Sequence, residues 1–307
     1  MSQASKIGPA TRQKRWRFNS DYLFVAPTVL FLLLTMVFPV VFNVLLSFRD
    51  PTARTLLTFE NFVGLSNYLR LFNQAAFGIA VSNTLVFTVV SLVFQTGLGL
   101  ALAVFYTRRF PGARHMRGLY LIAWTIPTIV SGAVFKWLLE EKGVINFLLA
   151  STGLIDITQN PILWTSDAKT ALASTIIANV WLGLPFNLTL LVAALEGIPR
   201  DIYEAGDLDG ATGWRRFWFL TLPLVRPALF SVLILGLIYT FKVFDLVYII
   251  TGGGPLGASD VVSTFAYRKL FGQYLYGEGA AVLNLLFILL FVLSLFYVRS
   301  VNREESA

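Results

Sequence analysis

Six long runs of apolar residues restrict the folds open to this chain more than any other feature of its sequence. The runs cover residues 22–48, 81–106, 118–139, 169–194, 228–251 and 279–298. A helix needs about 20 mostly apolar residues to cross the hydrocarbon core of a bilayer. Runs such as 283–298 are apolar on every face, unlike the alternating segments of a β-barrel. The sequence therefore predicts an all-α integral membrane bundle of six spans, since backbone groups in lipid must be satisfied internally.

The composition excludes several other classes of protein. Hydrophobic residues make up 56% of the 307 positions and charged residues only 13%, which is too little polar surface for a soluble domain. The absence of cysteine excludes disulfides and cysteine-based metal sites, and the single histidine, His115, excludes a histidine-rich metal site. The run 22–48 is much longer than the apolar stretch of a signal peptide, so we expect it to remain as the first span.

Lysine and arginine are spread unevenly over the connections between the runs. With a cytoplasmic N-terminus, fifteen lie on the cytoplasmic side and six on the other, as the positive-inside rule requires. The net charge of +7 thus reflects topology and does not indicate nucleic-acid binding. We expect a cytoplasmic N-terminal segment (1–21), a six-span domain (22–298) and a cytoplasmic tail (299–307).

The connection at residues 195–227 has a pattern of its own. Pro199 suits the first position of a helix, and Gly210 and Gly213 end that helix. The pattern predicts two short helices joined by a glycine turn, with Pro223 and Pro227 before the fifth span. Such an element can be gripped by a soluble partner and act as a lever. It can also be a plain positively charged loop.

The same connection resembles the EAA loop of permease subunits in binding-protein-dependent ABC importers. The family pattern is Glu-Ala-Ala, three residues, Gly, nine residues, Ile, one residue and Leu-Pro. Glu204, Ala205, Gly210 and Leu222-Pro223 match it. The sequence departs from it at two positions, where Gly206 replaces Ala and Leu220 replaces Ile.

The resemblance extends over most of the chain and is strongest to carbohydrate permeases of the maltose-transporter type. The matching stretches are 64–68, 82–85, 198–205, 208–211 and 251–255. It implies a type I ABC importer permease fold in a bacterial inner membrane, surrounded by lipid. It also implies a second homologous permease subunit, a dimer of ATPases that binds ATP and Mg, and an extracytoplasmic solute-binding protein.

The resemblance assigns the chain a non-catalytic role without a cofactor or metal of its own. The chain has no G-x-x-x-x-G-K-[ST] phosphate loop. The residues that the resemblance assigns to ATPase docking are Asp201, Tyr203, Glu204, Ala205, Asp209, Gly210, Gly213, Leu222 and Pro223.

Candidates for the solute pathway lie inside the fourth and fifth runs. Charged residues within spans are costly and usually functional. Lys242 and Asp245 are three residues apart, so we expect them to pair on one face of the fifth span, either in the pathway or as a structural ion pair. The aromatic and amide residues grouped with them are Tyr239, Phe244, Tyr248, Asn179 and Asn187.

Other functions remain open at this stage. A permease of the same class for glycerol phosphates, polyols or another polar solute is the nearest alternative. A stand-alone secondary transporter is less favoured, because no internal repeat is evident. A membrane-embedded enzyme is disfavoured because no catalytic residues cluster.

Overall fold

Residues 21–58, 60–108 and 111–304 are described by the computed structural model. Within these ranges the chain is helical, with one isolated bridge between Arg49 and Phe62 and no strand. Five of the described helices are long and apolar enough to cross a membrane, or six if one bent pair forms a single span. The predicted all-α membrane bundle is therefore confirmed.

The chain divides into two compact units, Met1–Asn43 and Val44–Ala307. The first apolar run forms helix α1 (Asp21–Leu32), a wider π-helical turn (Leu33–Val37) and α2 (Phe38–Ser47). In the wide turn, the N–H of Phe38 donates to the carbonyl of Leu33, five residues back. The turn directly precedes Pro39, whose ring does not fit a regular helix interior.

The boundary between the two units lies inside α2, and all helices after α2 belong to the second unit. In chain order they are α3 (Ser66–Phe72), α4 (Ala75–Tyr106), α5 (Ala113–Thr125), α6 (Thr128–Leu138), α7 (Val144–Ser151), α8 (Ala171–Glu196), α9 (Arg200–Leu208), α10 (Gly213–Arg216), α11 (Leu222–Phe241), α12 (Asp245–Ile250), α13 (Val262–Tyr267) and α14 (Tyr276–Glu304). Two more π-helical turns lie at Phe217–Thr221 and Arg268–Gly272.

The third apolar run does not form a straight helix. Its two halves, His115–Thr125 and Thr128–Leu138, are bent by 98°. Ile126 adopts an extended conformation (φ −70°, ψ 127°) because the ring of Pro127 disfavours helical geometry in the preceding residue. The third predicted span, at 118–139, is therefore a bent pair of helices that breaks at Ile126 and Pro127.

The fifth span begins earlier and ends earlier than predicted. The helix is continuous over Gly213–Phe241, so Pro223 and Pro227 lie inside it. The wide turn at Phe217–Thr221 absorbs the irregularity before Pro223, since the N–H of Leu222 bonds the carbonyl of Phe217. The helix stops at Phe241, ten residues short of the predicted end at 251.

Helices α4 and α8 form the centre of the second unit. At their contact, a Cβ atom on Gly99 would lie 2.7 Å from Cβ of Asn187, and one on Gly183 would overlap the amide of Gln95. Glycine lets two membrane helices approach this closely. Around this contact a core forms from buried side chains of α4, α5, α8 and α11.

The second unit has two ends that matter for function. The end that carries residues 197–213 is named the EAA end here, and the end that carries residues 49–66 is named the opposite end. Helix α4 runs from the opposite end to the EAA end, and α14 runs the same way.

Candidate functional site

At the EAA end, the first helix and the glycine turn of the loop fold as the sequence predicts, whereas the second short helix continues into the fifth span. Pro199 precedes the first residue of α9, and Asp201 lies in the first turn, where the helix dipole favours a negative charge. The helix ends at Leu208, and Gly210 and Gly213 adopt positive φ angles of 76° and 52°. Residues with a side chain rarely adopt such angles, so glycine makes this tight turn possible.

One face of α9 is anchored to the helix that follows. The hydroxyl groups of Tyr203 and Thr221 lie 3.2 Å apart. The guanidinium of Arg216 lies 5.7 Å from the centre of the Tyr203 ring and also forms an ion pair with Asp207. These contacts attach α9 to the base of the fifth span.

The other face of α9 is exposed. Asp201, Glu204, Ala205 and Asp209 are exposed, and Leu208 is 90% exposed. Of the other predicted docking residues, Gly210, Gly213 and Pro223 are exposed, and Tyr203 and Leu222 are half-buried. The predicted docking residues thus lie on α9, on its glycine turn and at the start of α11.

A cavity of about 1560 Å³ lies behind α9, against the ends of α4, α5 and α8. Arg117 and Glu196 border it with an ion pair of 2.5 Å. The cavity leaves α9 with little packing against the bundle on this side.

The two departures from the family pattern touch each other. A Cβ atom on Gly206 would overlap the terminal methyl Cδ1 of Leu220. Gly206 is buried, and its lack of a side chain leaves room for the Leu220 side chain across the hairpin.

A second cavity, of about 530 Å³, lies where the fifth span is broken. Helix α11 ends at Phe241, and Phe244 has a non-helical conformation (φ −131°, ψ −60°) before α12 begins. The hydroxyl of Ser263 donates to the carbonyl of Val243 inside this break. The predicted pathway residues that line the cavity are Asn179, Asn187, Tyr239, Lys242, Phe244 and Asp245.

The predicted pairing of Lys242 with Asp245 is wrong. No ion pair joins them among the described residues, because the helix that would have placed them on one face is interrupted between them. The ammonium of Lys242 instead lies 4.8 Å from the centre of the Tyr239 ring, which is a cation–π contact.

The amide groups at this cavity are arranged by α4 and α8. The side-chain amide of Gln95 donates to the carbonyl of Asn179 at 2.7 Å, and that of Asn187 donates to the carbonyl of Gly183 at 2.9 Å. The nitrogen Nδ2 of Asn179 is buried and has no hydrogen-bond partner among the described residues. Buried polar groups are normally paired, so this donor is available to a bound molecule.

Two aromatic residues of the cavity are absent from the sequence prediction. The ring of Trp124 lies 6.0 Å from that of Phe186, which lies 5.8 Å from Tyr239. Both line the cavity. They come from α5 and α8, and no local sequence signal links residues that only the bend at Pro127 brings together. Tyr248 does not line the cavity but stacks on Phe244 at 5.2 Å.

The opposite end is held together by buried polar contacts. The ammonium of Lys269 lies 2.9 Å from the carboxylate of Glu278, which also accepts a hydrogen bond of 3.0 Å from Gln74. Arg70 lies 3.6 Å from the same carboxylate. Lys269 and Glu278 are both 7% exposed. These contacts join α3, α4, α14 and the turn after α13.

The loop between α12 and α13 is fixed in the same way. The amide of Asn83 donates to the carbonyls of Gly257, Ala258 and Asp260 at 3.0–3.3 Å. Burial raises the pKa of Asp260, although Thr264 and Arg268 oppose this shift. The glycine-rich stretch 251–255 therefore belongs to a rigid loop.

Comparison with known proteins places these features in one family. Residues 95–304 match the family described as binding-protein-dependent transport system inner membrane component. The chain is 34% identical to the trehalose/maltose transport system permease protein MalF of Thermococcus litoralis, over 91% of this chain and 92% of that protein. It is 31% identical to the diacetylchitobiose uptake system permease protein DasB of Streptomyces coelicolor, over 93% and 88%.

A similar fold occurs among solved structures. A chain of a bacterial ABC transporter involved in the import of the acidic polysaccharide alginate superposes with a TM-score of 0.78. The two chains are 22% identical, and the match covers 92% of this chain and 94% of the other.

Proposed function

The chain belongs to the family of binding-protein-dependent transport system inner membrane components, and from this premise we propose that it forms half of the pathway of an ATP-driven sugar importer. The solute is a sugar or sugar-like molecule. Both relatives described above carry sugars in their names. The aromatic and amide lining of the 530 Å³ cavity supports this class of solute, since sugars offer apolar ring faces together with hydroxyl groups.

One observation carries the proposal. The continuous helix Gly213–Phe241 begins at the glycine turn of the EAA loop and ends at the cavity. It has 29 residues and therefore spans about 40 Å. A displacement of α9 is transmitted along this rod to Tyr239 and Lys242 in the cavity wall.

The proposal includes three kinds of partner. The exposed face of α9 docks on an ATPase dimer, whose subunits bind ATP and Mg, and this chain binds neither. The EAA end and both termini are cytoplasmic, which agrees with the distribution of lysine and arginine. A second permease subunit completes the pathway, and an extracytoplasmic binding protein delivers the solute at the opposite end.

ATP binding acts on the pathway as a shift between two states. When the ATPases close, they carry α9 with them and favour the state in which the cavity opens toward the binding protein. A partner shifts such an equilibrium only by its different affinity for the two states. The grip on α9 must therefore differ between the open and the closed ATPase dimer.

A phosphate-bearing polyol is a second candidate solute. Lys242 lines the cavity without an ion pair among the described residues, so its charge is available to an anion. Asp245 lines the same cavity and opposes an anionic solute.

The test is ATP-dependent uptake by the complete complex in proteoliposomes. Glu204→Lys reverses the charge of the exposed α9 face, so we expect it to abolish uptake and to reduce co-purification of the ATPase while membrane insertion is unchanged. Glu140→Lys, at an exposed carboxylate before α7, serves as the matched control. Normal uptake by Glu204→Lys would refute the assignment.

A further inference from the structure

Four aromatic rings pack into one cluster beside the break in the fifth span, and this cluster is named the ladder here. The centres of the Phe244 and Tyr248 rings lie 5.2 Å apart, and the Tyr267 ring lies 5.0 Å from each of them. The Phe271 ring follows at 4.9 Å from Tyr267. The four residues come from the start and middle of α12, from α13 and from the turn after α13.

The ladder runs from the cavity to the opposite end. At its inner end, Phe244 lines the 530 Å³ cavity together with Tyr239 and Phe186. Helix α13 begins at the same depth, where Ser263 bonds the carbonyl of Val243. It ends near Lys269, which binds Glu278 in the first turn of α14. Phe271 is therefore the outermost ring.

The rings are not part of the protein core. Residues 262–266 of α13 are buried and pack against α4 and α14. Tyr248 and Phe271, in contrast, are 41% and 60% exposed, and Tyr267 is half-buried. The ladder thus keeps exposed surface at Tyr248 and Phe271, outside the buried part of α13.

The chemistry of the ladder suits a pyranose ring. The apolar faces of a sugar pack on aromatic rings, and the hydroxyl groups of Tyr248 and Tyr267 can exchange hydrogen bonds with sugar hydroxyls. Lipid is a poor occupant, because the inner end opens on the amide groups of the cavity and on the charges of Lys242 and Asp245, which lipid cannot solvate.

We propose that Phe271, Tyr267, Tyr248 and Phe244 form an access path on which a pyranose ring stacks before it reaches the cavity. This inference rests on the proposed function and adds a second sugar-binding site to it. The solute passes over the exposed parts of these rings and is then held by the cavity amides.

The test is saturation-transfer NMR on the complete complex in lipid nanodiscs, with methyl β-D-glucopyranoside at millimolar concentration as the probe and without the binding protein. We expect transfer from aromatic protons to the probe in the wild type. Tyr267→Ala should reduce it by about threefold to tenfold, as the loss of one stacking contact predicts, and Tyr267→Phe should retain most of it.

Two further variants make the outcome decisive. Phe271→Ala changes a ring that is 60% exposed and lies outside the core, so it is expected to reduce transfer even if Tyr267→Ala fails to assemble. Phe291→Ala is the matched control, since Phe291 is 53% exposed and stacks on Phe287 at 6.0 Å but lies on α14, away from the cavity. We expect this control to match the wild type.

The absence of transfer in the wild type, as expected if the second permease subunit covers the ladder, would overturn the proposal. Equal transfer in the wild type, Tyr267→Ala and Phe271→Ala would overturn it as well. Uptake of radiolabelled maltose and diacetylchitobiose by the wild-type complex tests the proposed function separately. A complex that binds the probe through the ladder but transports neither sugar would retain the ladder and weaken the proposed solute class.

Discussion

The two ends of the second unit are built on opposite principles. At the opposite end, buried charges and side-chain amides tie α3, α4, α14 and the loop after α12 into one block. At the EAA end, α9 has one exposed face, a cavity of about 1560 Å³ behind it and an ion pair that is open to solvent. Many buried polar contacts therefore hold the opposite end, whereas α9 at the EAA end is held by few contacts, and exposed ones.

This contrast agrees with the proposed transport cycle. A binding protein needs a surface that keeps its shape, whereas an ATPase needs an element that it can move. Elements that move are drawn from the parts of a protein with few buried contacts. Comparable substitutions at the two ends test this difference.

The largest effect is expected from removal of one charge of the buried pair. Lys269→Met leaves the carboxylate of Glu278 buried without its closest cation. We expect a loss of about 3 kcal/mol of stability, the lower end of the cost of breaking a buried ion pair, because Arg70 and Gln74 still contact the carboxylate. The measurement is the unfolding midpoint of the complex in nanodiscs. Lys142→Met, at an exposed lysine, should leave it unchanged, and equal midpoints for both variants would contradict a stabilising role for the buried pair.

A smaller loss is expected from overpacking at the same end. In Gly277→Ala, the new Cβ atom would overlap the backbone carbonyl of Arg49 and the amide of Asn67, neither of which can turn away. We expect about 1–3 kcal/mol of destabilisation, measured in the same way. Gly78→Ala is the control, since a Cβ there has no neighbour within 4 Å. Equal unfolding midpoints for Gly277→Ala and Gly78→Ala would show that the backbone at this end shifts to accommodate the new methyl group.

At the EAA end, loss of an ion pair should cost far less. Asp207→Ala removes the partner of Arg216, and the two side chains are 47% and 36% exposed. Solvent screens such a pair, so we expect a stability loss of no more than about 1 kcal/mol. The unfolding midpoint of this variant should lie close to that of Asp201→Ala, which removes an exposed carboxylate that has no ion pair among the described residues. A loss as large as that of Lys269→Met would abolish the contrast.

The smallest effect is expected from overpacking at α9. In Gly206→Ala, the new methyl group meets only the terminal methyl of Leu220, which can rotate away. We expect a change of a few tenths of a kcal/mol, since alanine also favours the helix by up to about 1 kcal/mol. Uptake should stay near the wild-type rate. Gly206→Ala could instead abolish uptake, and Gly206→Ala/Leu220→Ile could restore it. That result would show that α9 is packed tightly against Leu220, contrary to the difference between the two ends.

Much of the architecture could be predicted because it depends on local features. The apolar runs predict the spans from their length, and the turn at Gly210 and Gly213 follows from the positive φ angles that glycine allows. The break at Pro127 is local in the same way, because the residue before a proline avoids helical geometry.

The candidate pathway was only partly predictable. Asn179, Asn187, Tyr239 and Phe244 were found from their place in the spans, and all four line the cavity. The pairing of Lys242 with Asp245 failed because periodicity assumes an unbroken helix. The break between them is held by Ser263, twenty residues further along the chain, and no local pattern reveals such a bond.

Apolar length and glycine geometry act over a few neighbouring residues, so the sequence alone shows that this chain crosses a membrane through helices and has a glycine turn before its fifth span. The folded structure was needed to show where the spans break, which rings line the cavity and which end is held by buried polar contacts. Those properties arise from contacts between distant segments, such as Lys269 with Glu278 and Trp124 with Phe186, whose energies depend on packing that sequence spacing does not record.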